Sequence, residues 1–351
     1  MALIEYSGIE LEAIAAVVPR NIVRNSECTL VPREDIERII KKTGIRERRF
    51  VDSDVCASDM AVAAARKLID EGSVNKDEIS FLIFVTQTPD YKMPFSASLI
   101  QHRLGLSQNV AAFDVNLGCS GFVYGLNLAY SLAGSLGSGK VLLLNGETRS
   151  KVYSSRDRAT ALLFGDAASA ALISSTKSDC VARFSMFTDG SGADLIKVPA
   201  GGYRTPSSEE TLKIRTFEDG SQRSLEHGQM NGMEVFNFSI STVPAAIKEL
   251  LDKYSLQSSD LDFVLFHQAN RIMTNVIAKK FGFESQQVPY SLDKYGNTSS
   301  VSIPLTLCSE LSDVSWSTRK RLLLSGFGVG LSWANAVVEV DGLRNFGVSE
   351  I

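Results

Sequence analysis

The chain has 351 residues, of which 44% are hydrophobic and 22% charged, a composition typical of a globular protein large enough for two domains. Its net charge of -4 gives no broad attraction to nucleic acid or to an anionic membrane, so an acidic partner would need a local basic patch. The five cysteines are odd in number and widely spaced, which argues against a disulfide framework or a zinc site and favours a reducing compartment.

The N-terminal segment indicates neither export nor membrane insertion. MALIEYSGIELEAIAAVVP carries acidic residues where a signal peptide needs a basic region. No apolar run approaches the roughly 20 residues that a membrane helix requires. We therefore predict a cytoplasmic protein, with no membrane partner and no nucleic-acid partner.

The predicted elements alternate between helix and strand along the first half. A first strand pair is expected within residues 4 to 18, and a helix follows from Pro32. Residues 58 to 72 form a second helix, after which ISFLIFVTQT is a continuous apolar run typical of a strand covered on both faces. The pattern continues with FSASLIQHRLGL as helix, VAAFDVN as strand, a helix beginning near Cys119, KVLLLNGE as strand and TALLFGDAASAALIS as a last strand pair. This alternation predicts an α/β fold.

The second half repeats the first. DFVLFHQ and KRLLLSGFG match earlier strands at offsets of 182 and 180 residues, which indicates an internal duplication. We predict two α/β halves, residues 1–176 and 177–351, packed about a pseudo-twofold axis with ligands near their junction. Residues 201–232 are polar and weakly periodic, and we interpret them as a long surface excursion or a lid, to which we assign no chemistry.

Cys119 is the candidate nucleophile. A strand ending at Val115 and a helix beginning near Cys119 place the thiol at a helix N-terminus, where unpaired N–H groups and the helix dipole favour the thiolate. Gly118 and Gly121 leave room for a substrate carbonyl beside the N–H of Cys119. The alternative is a cysteine that serves only as a small buried hydrophobic residue, and position alone does not exclude it.

Two later residues support a catalytic role for this cysteine. His267 directly follows a buried strand, whereas His102 and His227 fall in an amphipathic helix and in the polar excursion. Asn297 lies in a Gly-Asn turn at an offset of 178 from Cys119, so the duplication places it at the position that corresponds to the nucleophile. Alone, such an asparagine would indicate a turn or a helix cap. The repeat favours a functional role instead.

A basic cluster follows the helix from Pro32. It comprises Lys41, Lys42, Arg46, Arg48 and Arg49 within nine residues. Such a cluster is suited to bind a phosphorylated cofactor tail. A solvated basic face explains it equally well, and both interpretations stay open.

Several motifs resemble those of β-ketoacyl-acyl carrier protein synthase III, a condensing enzyme of the thiolase superfamily. They are Cys119 in GCSGF, His267 in HQAN, Asn297 in GNTSS, GFGVG at 326–330 and TGIRER at 43–48. The resemblance covers nearly the whole chain apart from the polar excursion. It implies a thiolase-like fold whose two duplicated halves form a five-layer αβαβα body, normally as a homodimer, and a Cys-His-Asn catalytic triad.

The resemblance also implies a reaction. Cys119 takes an acyl group from acyl-coenzyme A or from acyl-carrier protein, and the backbone N–H groups of Cys119 and Val329 hold the oxyanion. Malonyl-acyl carrier protein then loses carbon dioxide, and its enolate accepts hydrogen bonds from the Nε2–H of His267 and the NH₂ of Asn297. Attack on the acyl group gives a β-ketoacyl thioester. The substrates are coenzyme A or phosphopantetheine thioesters, and no metal or redox cofactor is required.

Two other function classes stay open. An acyltransferase or thioester hydrolase would use Cys119 and His267 without decarboxylation, but such a reaction forms no enolate and would not need Asn297. A silent partner in a heterodimer is the other possibility, and such proteins normally lose the cysteine that this chain keeps.

Residues outside the triad are implied by the resemblance to bind the donor and the carrier. The family's adenine-stacking tryptophan is replaced by Arg38, a family lysine by Asn237 and a family arginine by Ile272. We therefore expect intact catalysis with altered donor recognition. The implied contacts are Arg46, Arg158, Arg38 and Asn270 for coenzyme A, Met93 for the partner subunit's acyl pocket, and Arg271, Lys279 and Lys280 for the acidic carrier protein.

Overall fold

The computed structural model describes residues 2–72, 74–137 and 139–351. Its strands are β1 Ala2–Ser7, β2 Ile9–Val18, β3 Ile22–Arg24, β4 Glu47–Arg49, β5 Ile79–Val85, β6 Ala111–Val115, β7 Lys140–Glu147, β8 Ala167–Ser175, β9 Val181–Thr188, β10 Ile196–Lys197, β11 Arg215–Thr216, β12 Gln222–Arg223, β13 Gln229–Met230, β14 Phe263–Phe266, β15 Lys320–Gly328, β16 Ser332–Val340 and β17 Arg344–Glu350. Its helices are α1 Arg33–Thr43, α2 Ala57–Glu71, α3 Ser96–Leu104, α4 Gly121–Ser135, α5 Glu209–Leu212, α6 Gly232–Lys253, α7 Arg271–Phe281, α8 Leu292–Tyr295 and α9 Ser302–Glu310.

Two mixed β-sheets organise the molecule. The first has the order β17-β2-β8-β7-β5-β6 and the second the order β1-β9-β16-β15-β14. Helices α4 and α9 pack between the sheets, α2 and α3 cover the outer face of the first sheet, and α6 and α7 cover that of the second. This arrangement confirms the predicted five-layer αβαβα body and the thiolase-like fold.

The layers follow from the apolar patterns of the elements. In β5 the continuous run from Leu82 to Val85 is fully buried, as a strand between two helical layers requires. Helix α2 presents small residues such as Ala61, Ala64 and Ala65 to the first sheet, which lets the helix backbone approach closely. The core between the sheets draws buried residues from both halves, so the halves pack as one body.

One prediction of strand pairing is wrong. The expected pair within residues 4 to 18 does not form, because β1 pairs antiparallel with β9, whereas β2 pairs with β8 and β17. The proposed division at residue 176 also does not follow the sheets, since β1 belongs to the second sheet and β17 to the first. Apolar periodicity identifies a strand but does not identify the distant strand that accepts its hydrogen bonds.

The expected last strand pair within TALLFGDAASAALIS is also wrong. Only β8 forms there, and the preceding residues 160–163 are turns. Leu162 and Leu163 line a cavity instead of a sheet, which accounts for their apolar character.

The polar excursion at 201–232 packs over the body. It contains α5 and a short β11–β12 hairpin, and Ser154 Oγ donates to the carbonyl of Gln222 at 2.6 Å. A Cβ at Gly228 would lie 2.4 Å from the ring of Tyr153, so this close approach requires glycine. Gly228 and Met230 line the main cavity, and the segment therefore forms one of its walls. In the described ranges, no helix combines the length and the apolar character needed to span a bilayer.

Candidate active site

A cavity of about 590 Å³ lies where the two halves meet, and Cys119, His267 and Asn297 all line it. Cys119 lies between β6 and α4, and His267 directly follows β14. Asn297 lies between α8 and α9, the helix that stands beside α4 in the central layer. The duplicated architecture thus brings three loop residues from distant parts of the chain to one site.

The surroundings of Cys119 favour the thiolate. The residue is buried, and its Sγ lies 3.7 Å from Oγ of Ser299. Burial alone would raise the pKa of Cys119, but the charge and hydrogen bond of His267, the charge of Arg149 and the Ser299 hydroxyl lower it to about 6. Cys119 is therefore mainly ionised at neutral pH.

The turn after β15 packs directly against the nucleophile. A Cβ at Gly328 would lie 2.9 Å from Sγ of Cys119, so only glycine fits there. The next residue, Val329, lines the cavity. Within the described part of the chain, the backbone N–H groups of Cys119 and Val329 donate to no other group. Both remain available to a substrate oxygen.

His267 is held by the hydroxyl of Ser302. Its Nδ1 lies 2.8 Å from Ser302 Oγ, which is also 2.8 Å from the carbonyl oxygen of Ser299. The single hydroxyl hydrogen of Ser302 therefore goes either to the Ser299 carbonyl, with Nδ1 donating to Oγ, or to Nδ1. An imidazolium fits the first arrangement, and a neutral ring carrying its proton on Nε2 fits the second.

Asn297 presents its amide nitrogen to the cavity. Its Oδ1 accepts a hydrogen bond of 2.9 Å from the N–H of Ser299, which fixes the orientation of the amide. The Nδ2 group donates to no residue that the structure describes. Two hydrogen bonds hold its backbone. The N–H of Asn297 donates to the carbonyl of Leu163 at 2.9 Å, and the carbonyl of Asn297 accepts from the N–H of Gly165 at 3.1 Å. The amide is thus a preorganised donor.

A buried charged pair that is not among the predicted site residues lies beside the nucleophile. Arg149 Nε lies 3.5 Å from Oε2 of Glu147, and its Nη2 donates to Gln87 Oε1 at 2.8 Å and to Ser299 Oγ. Glu147 is fully buried, and Ser300 Oγ donates to it at 3.1 Å. Burial raises the pKa of Glu147 to about 7 although Arg149 and Ser300 favour its ionised form.

A signal for this pair is present in the sequence. KVLLLNGE ends an otherwise apolar strand with a carboxylate, and Arg149 follows two residues later. Strands β5, β6 and β7 are parallel, so their carboxyl ends meet at one edge of the sheet. Charged residues at that edge belong beside Cys119.

Only some of the predicted donor-binding residues lie at the cavity. Arg158 and Asn270 line it. Arg158 Nη1 donates to the Asp219 carbonyl at 2.7 Å, and the side chain of Asn270 caps α7. Arg38 lies on the exposed face of α1, where it pairs with Asp35 at 2.5 Å. Arg46 is exposed.

The remaining predicted contacts lie on the surface. Met93 is 80% exposed. The guanidinium of Arg271 lies 4.0 Å above the ring of Tyr290. Lys279 and Lys280 are exposed at the end of α7.

Two family models match the chain. The model described as 3-oxoacyl-[acyl-carrier-protein] synthase III matches residues 113–190, and the model of its C-terminal part matches residues 251–340. The first match contains Cys119 and the second contains His267 and Asn297.

Curated proteins and solved structures are similar over nearly the whole chain. The β-ketoacyl-[acyl-carrier-protein] synthase III of Campylobacter concisus is 35% identical over 337 residues, 96% of this chain and 98% of that protein. The synthase III of Aliarcobacter butzleri is 34% identical over 93% of this chain and 96% of its own length. The 3-oxoacyl-(acyl-carrier protein) synthase structure from Burkholderia xenovorans superposes with a TM-score of 0.92 at 34% identity, covering 100% of this chain and 99% of that chain. The priming β-ketosynthase of the R1128 polyketide pathway gives a TM-score of 0.79 at 28% identity, covering 95% and 97%.

Proposed function

The chain belongs to the β-ketoacyl-[acyl-carrier-protein] synthase III family, whose members are condensing enzymes that initiate fatty acid or polyketide synthesis, and we propose that Cys119, His267 and Asn297 carry out its reaction. The observation that supports this assignment most directly is the single cavity that all three residues line. The thiolate, the imidazole and the amide donor have the chemical properties that acylation and decarboxylative condensation require.

Acylation is the first proposed half-reaction. The Cys119 thiolate attacks the carbonyl carbon of an acyl thioester, and the N–H groups of Cys119 and Val329 donate to the oxyanion. The tetrahedral intermediate expels the donor thiolate, which takes a proton from the imidazolium of His267. Acyl-Cys119 and a neutral His267 remain. The pKa of about 6 for Cys119 supports this step, because the nucleophile is already ionised at pH 7.

Condensation is the second half-reaction. A malonyl thioester binds, its carboxylate leaves as carbon dioxide, and the enolate oxygen accepts hydrogen bonds from Asn297 Nδ2 and His267 Nε2–H. Rotation of the Ser302 hydroxyl toward Nδ1 allows the neutral ring to carry its proton on Nε2. The enolate carbon then attacks acyl-Cys119, which releases the thiolate and a β-ketoacyl thioester. This acyltransferase chemistry uses thioesters as substrates and needs no redox cofactor.

The proposed donors are acyl-coenzyme A and acyl-carrier protein, with malonyl-acyl carrier protein as the extender. Arg158 and Asn270 on the cavity wall are suited to a phosphopantetheine arm. The exposed Lys279 and Lys280 offer positive charge to an acidic carrier protein. We place the reaction in the cytoplasm, where carrier proteins and reduced cysteines coexist.

We also propose a homodimer. Tyr91, Met93 and Phe95 are 60%, 80% and 47% exposed on one short loop, and such a group of large apolar side chains is typical of an interface. In a dimer Met93 would reach the partner subunit's acyl pocket. Sedimentation at micromolar concentration tests this, since a monomer would contradict it.

Intact-mass analysis tests the assignment of the nucleophile. Exposure to acyl-coenzyme A and acyl-carrier donors should add one acyl group, and addition of malonyl-carrier protein should then remove it. Cys119→Ala should abolish both events. Cys56→Ser is the matched control, because Cys56 lies at the start of α2 and should leave the adduct unchanged. An adduct that persists in the Cys119→Ala variant would contradict the assignment.

A further inference from the structure

Arg149 occupies a position where an arginine is costly unless it binds an anion. It is 6% exposed, and it lines the cavity that contains Cys119. Burial removes the hydration of a guanidinium, and only ion pairs and hydrogen bonds recover that loss. Glu147 is a partial partner, since its Oε2 lies 3.5 Å from Nε without a hydrogen bond, and burial raises the pKa of Glu147 to about 7.

Several donors of Arg149 are unused. A guanidinium has five N–H groups, and Nη2 uses its two on Gln87 and Ser299. Nε forms no hydrogen bond within the described residues although it is buried. Nη1, with two further N–H groups, donates to no described atom. The two N–H groups of Nη1 are therefore the donors that a carboxylate in the cavity could accept from.

A second buried arginine lies near Arg149. A second cavity of about 330 Å³ shares Arg149, Tyr153 and Phe164 with the first and is lined as well by Arg48. Arg48 is 4% exposed, donates from Nη1 to the carbonyl of Ala161 and forms no ion pair with any described carboxylate. Two buried arginines therefore lie near two buried carboxylates, Glu147 and Asp166, whose pKa values burial raises.

Acylation changes the charges around Arg149. Before the reaction the Cys119 thiolate supplies a negative charge near Arg149, whose Nη2 contacts the same Ser299 hydroxyl. Formation of the neutral thioester removes that charge, and His267 gives its proton to the donor thiolate in the same step, so Arg149 loses both of these ionic neighbours. An acyl chain with its own anionic group would pair with Arg149 and would stabilise the acyl-enzyme.

We propose that the priming acyl group of this enzyme carries a terminal carboxylate, which Arg149 binds. The inference rests on the acylation of Cys119 proposed above and adds the class of primer. Because Ser299 Oγ lies 3.7 Å from Sγ and 2.5 Å from Arg149 Nη2, these two atoms are at most about 6.2 Å apart. This distance includes a hydrogen bond of about 2.9 Å to the carboxylate, so a chain of about four or five carbons reaches Arg149 in a folded and not an extended conformation.

The chemistry of the step is unchanged. The thiolate forms a bond to the thioester carbonyl carbon, the donor C–S bond breaks, and the donor thiol leaves with the proton of His267. The distal carboxylate takes no part and stays ionised. Carbon dioxide is lost only from the malonyl unit, so the product is a β-ketoacyl thioester with a carboxylate at its far end.

The test measures Cys119 acylation alone, without malonyl donor, by intact mass and by the rate of thiol release. Succinyl and glutaryl thioesters are compared with butanoyl and pentanoyl thioesters and with the glutaryl monomethyl ester, each on coenzyme A and on carrier protein. A charge-assisted pair should favour glutaryl over its methyl ester by about 10- to 100-fold. Equal or faster acylation by the uncharged chains overturns the inference and leaves the proposed function standing. Absence of acylation by every thioester overturns both.

Variants separate charge recognition from a general effect on the thiolate. Arg149→Met should abolish or reverse the preference for carboxylated chains. The double variant Glu147→Gln/Arg149→Met should show the same loss of preference, and it leaves no unpaired carboxylate at position 147. Arg156→Met is the matched control, because the Arg156 side chain is exposed and bonds Gln222. This variant should keep the native preference for carboxylated chains. An equal loss of rate for all thioesters in both Arg149 variants would show that Arg149 only tunes Cys119, which overturns the inference.

Discussion

Ser299 Oγ lies 3.7 Å from Sγ of Cys119, and the same hydroxyl accepts a hydrogen bond from Arg149. The nucleophile is thereby linked to a buried cation through one hydroxyl group. This connection, together with the charge of His267, holds the thiolate in a site whose burial would otherwise favour the thiol.

The alkylation of Cys119 by iodoacetamide should therefore reach its half-maximal rate near pH 6. Only the thiolate reacts, so lowering the pKa extends reactivity to lower pH and leaves the rate almost constant above pH 7. Peptide mass analysis follows each cysteine separately. Cys56 is the internal control, because burial and the charge of Asp90 raise its pKa and should delay its alkylation to higher pH. A midpoint above pH 8 at Cys119 would show that His267 and Arg149 do not lower the pKa of this thiol.

Substitution of Asn297 should separate the two half-reactions. Asn297→Ala should still form acyl-Cys119 but should lose about 10²- to 10³-fold in malonyl decarboxylation, since one donor to the enolate has gone. Asn297→Asp keeps an acceptor for the N–H of Ser299 and lacks the NH₂ donor, so it should show the same separation. Single-turnover kinetics measure both steps. If acylation and decarboxylation fell equally in both variants, Asn297 would have a structural role.

The side chain at position 93 should set the length of the primer. Methionine is flexible and yields to a longer chain, so the native enzyme should accept primers longer than acetyl. Met93→Phe should shift the preference toward shorter chains in a dimer, whereas Met93→Leu, of similar volume, should preserve it. Competition among acyl thioesters of increasing length provides the measurement. Strict use of acetyl by the native protein would be incompatible with this assignment.

Arg38 should weaken, but not abolish, the use of coenzyme A. Its guanidinium pairs with Asp35 on α1. Without an aromatic ring to stack on the adenine, the binding free energy of coenzyme A is weaker by about 1 to 3 kcal/mol. We expect a carrier protein to donate the acyl group at least as fast as coenzyme A does. Arg38→Trp should raise the rate with coenzyme A by about 5- to 150-fold and leave that with carrier protein unchanged. Arg33→Trp, at the exposed start of the same helix, is the matched control. A native preference above about tenfold for coenzyme A would refute the prediction.

The fold was predictable from the sequence where apolar runs are long. The run ISFLIFV predicts a strand that is covered on both faces. The segments KVLLLNGE and KRLLLSGFG coincide with β7 and β15 from their first to their last residue. Strand partners were not predictable, because β1 pairs with β9, and most of the first half of the chain lies between these two strands. The resemblance supplied the five layers, which periodicity alone does not specify.

The candidate site was only partly predictable. Cys119, His267 and Asn297 stand at ends of elements, and motifs mark each of them. Arg149 carries no motif, and its one sequence signal is its position just after the carboxyl end of β7. Its importance comes from burial and from a hydroxyl contributed by Ser299, 150 residues later in the chain, and neither is visible before the halves are folded together.

The terminal strands β1 and β17 are exchanged between the two sheets, so the structure of each half depends on the other. A fragment ending at residue 176 would keep β1 without β9 and would leave β2 without the parallel edge strand β17. Each half lacks a border strand that the other supplies, so we expect that neither repeat folds alone. Loss of the last eight residues would open the sheet that positions Cys119, although no atom of β17 lines the cavity. An affinity tag fused behind Ile351, whose N–H bonds the carbonyl of Val18, would thus act on the architecture around the nucleophile.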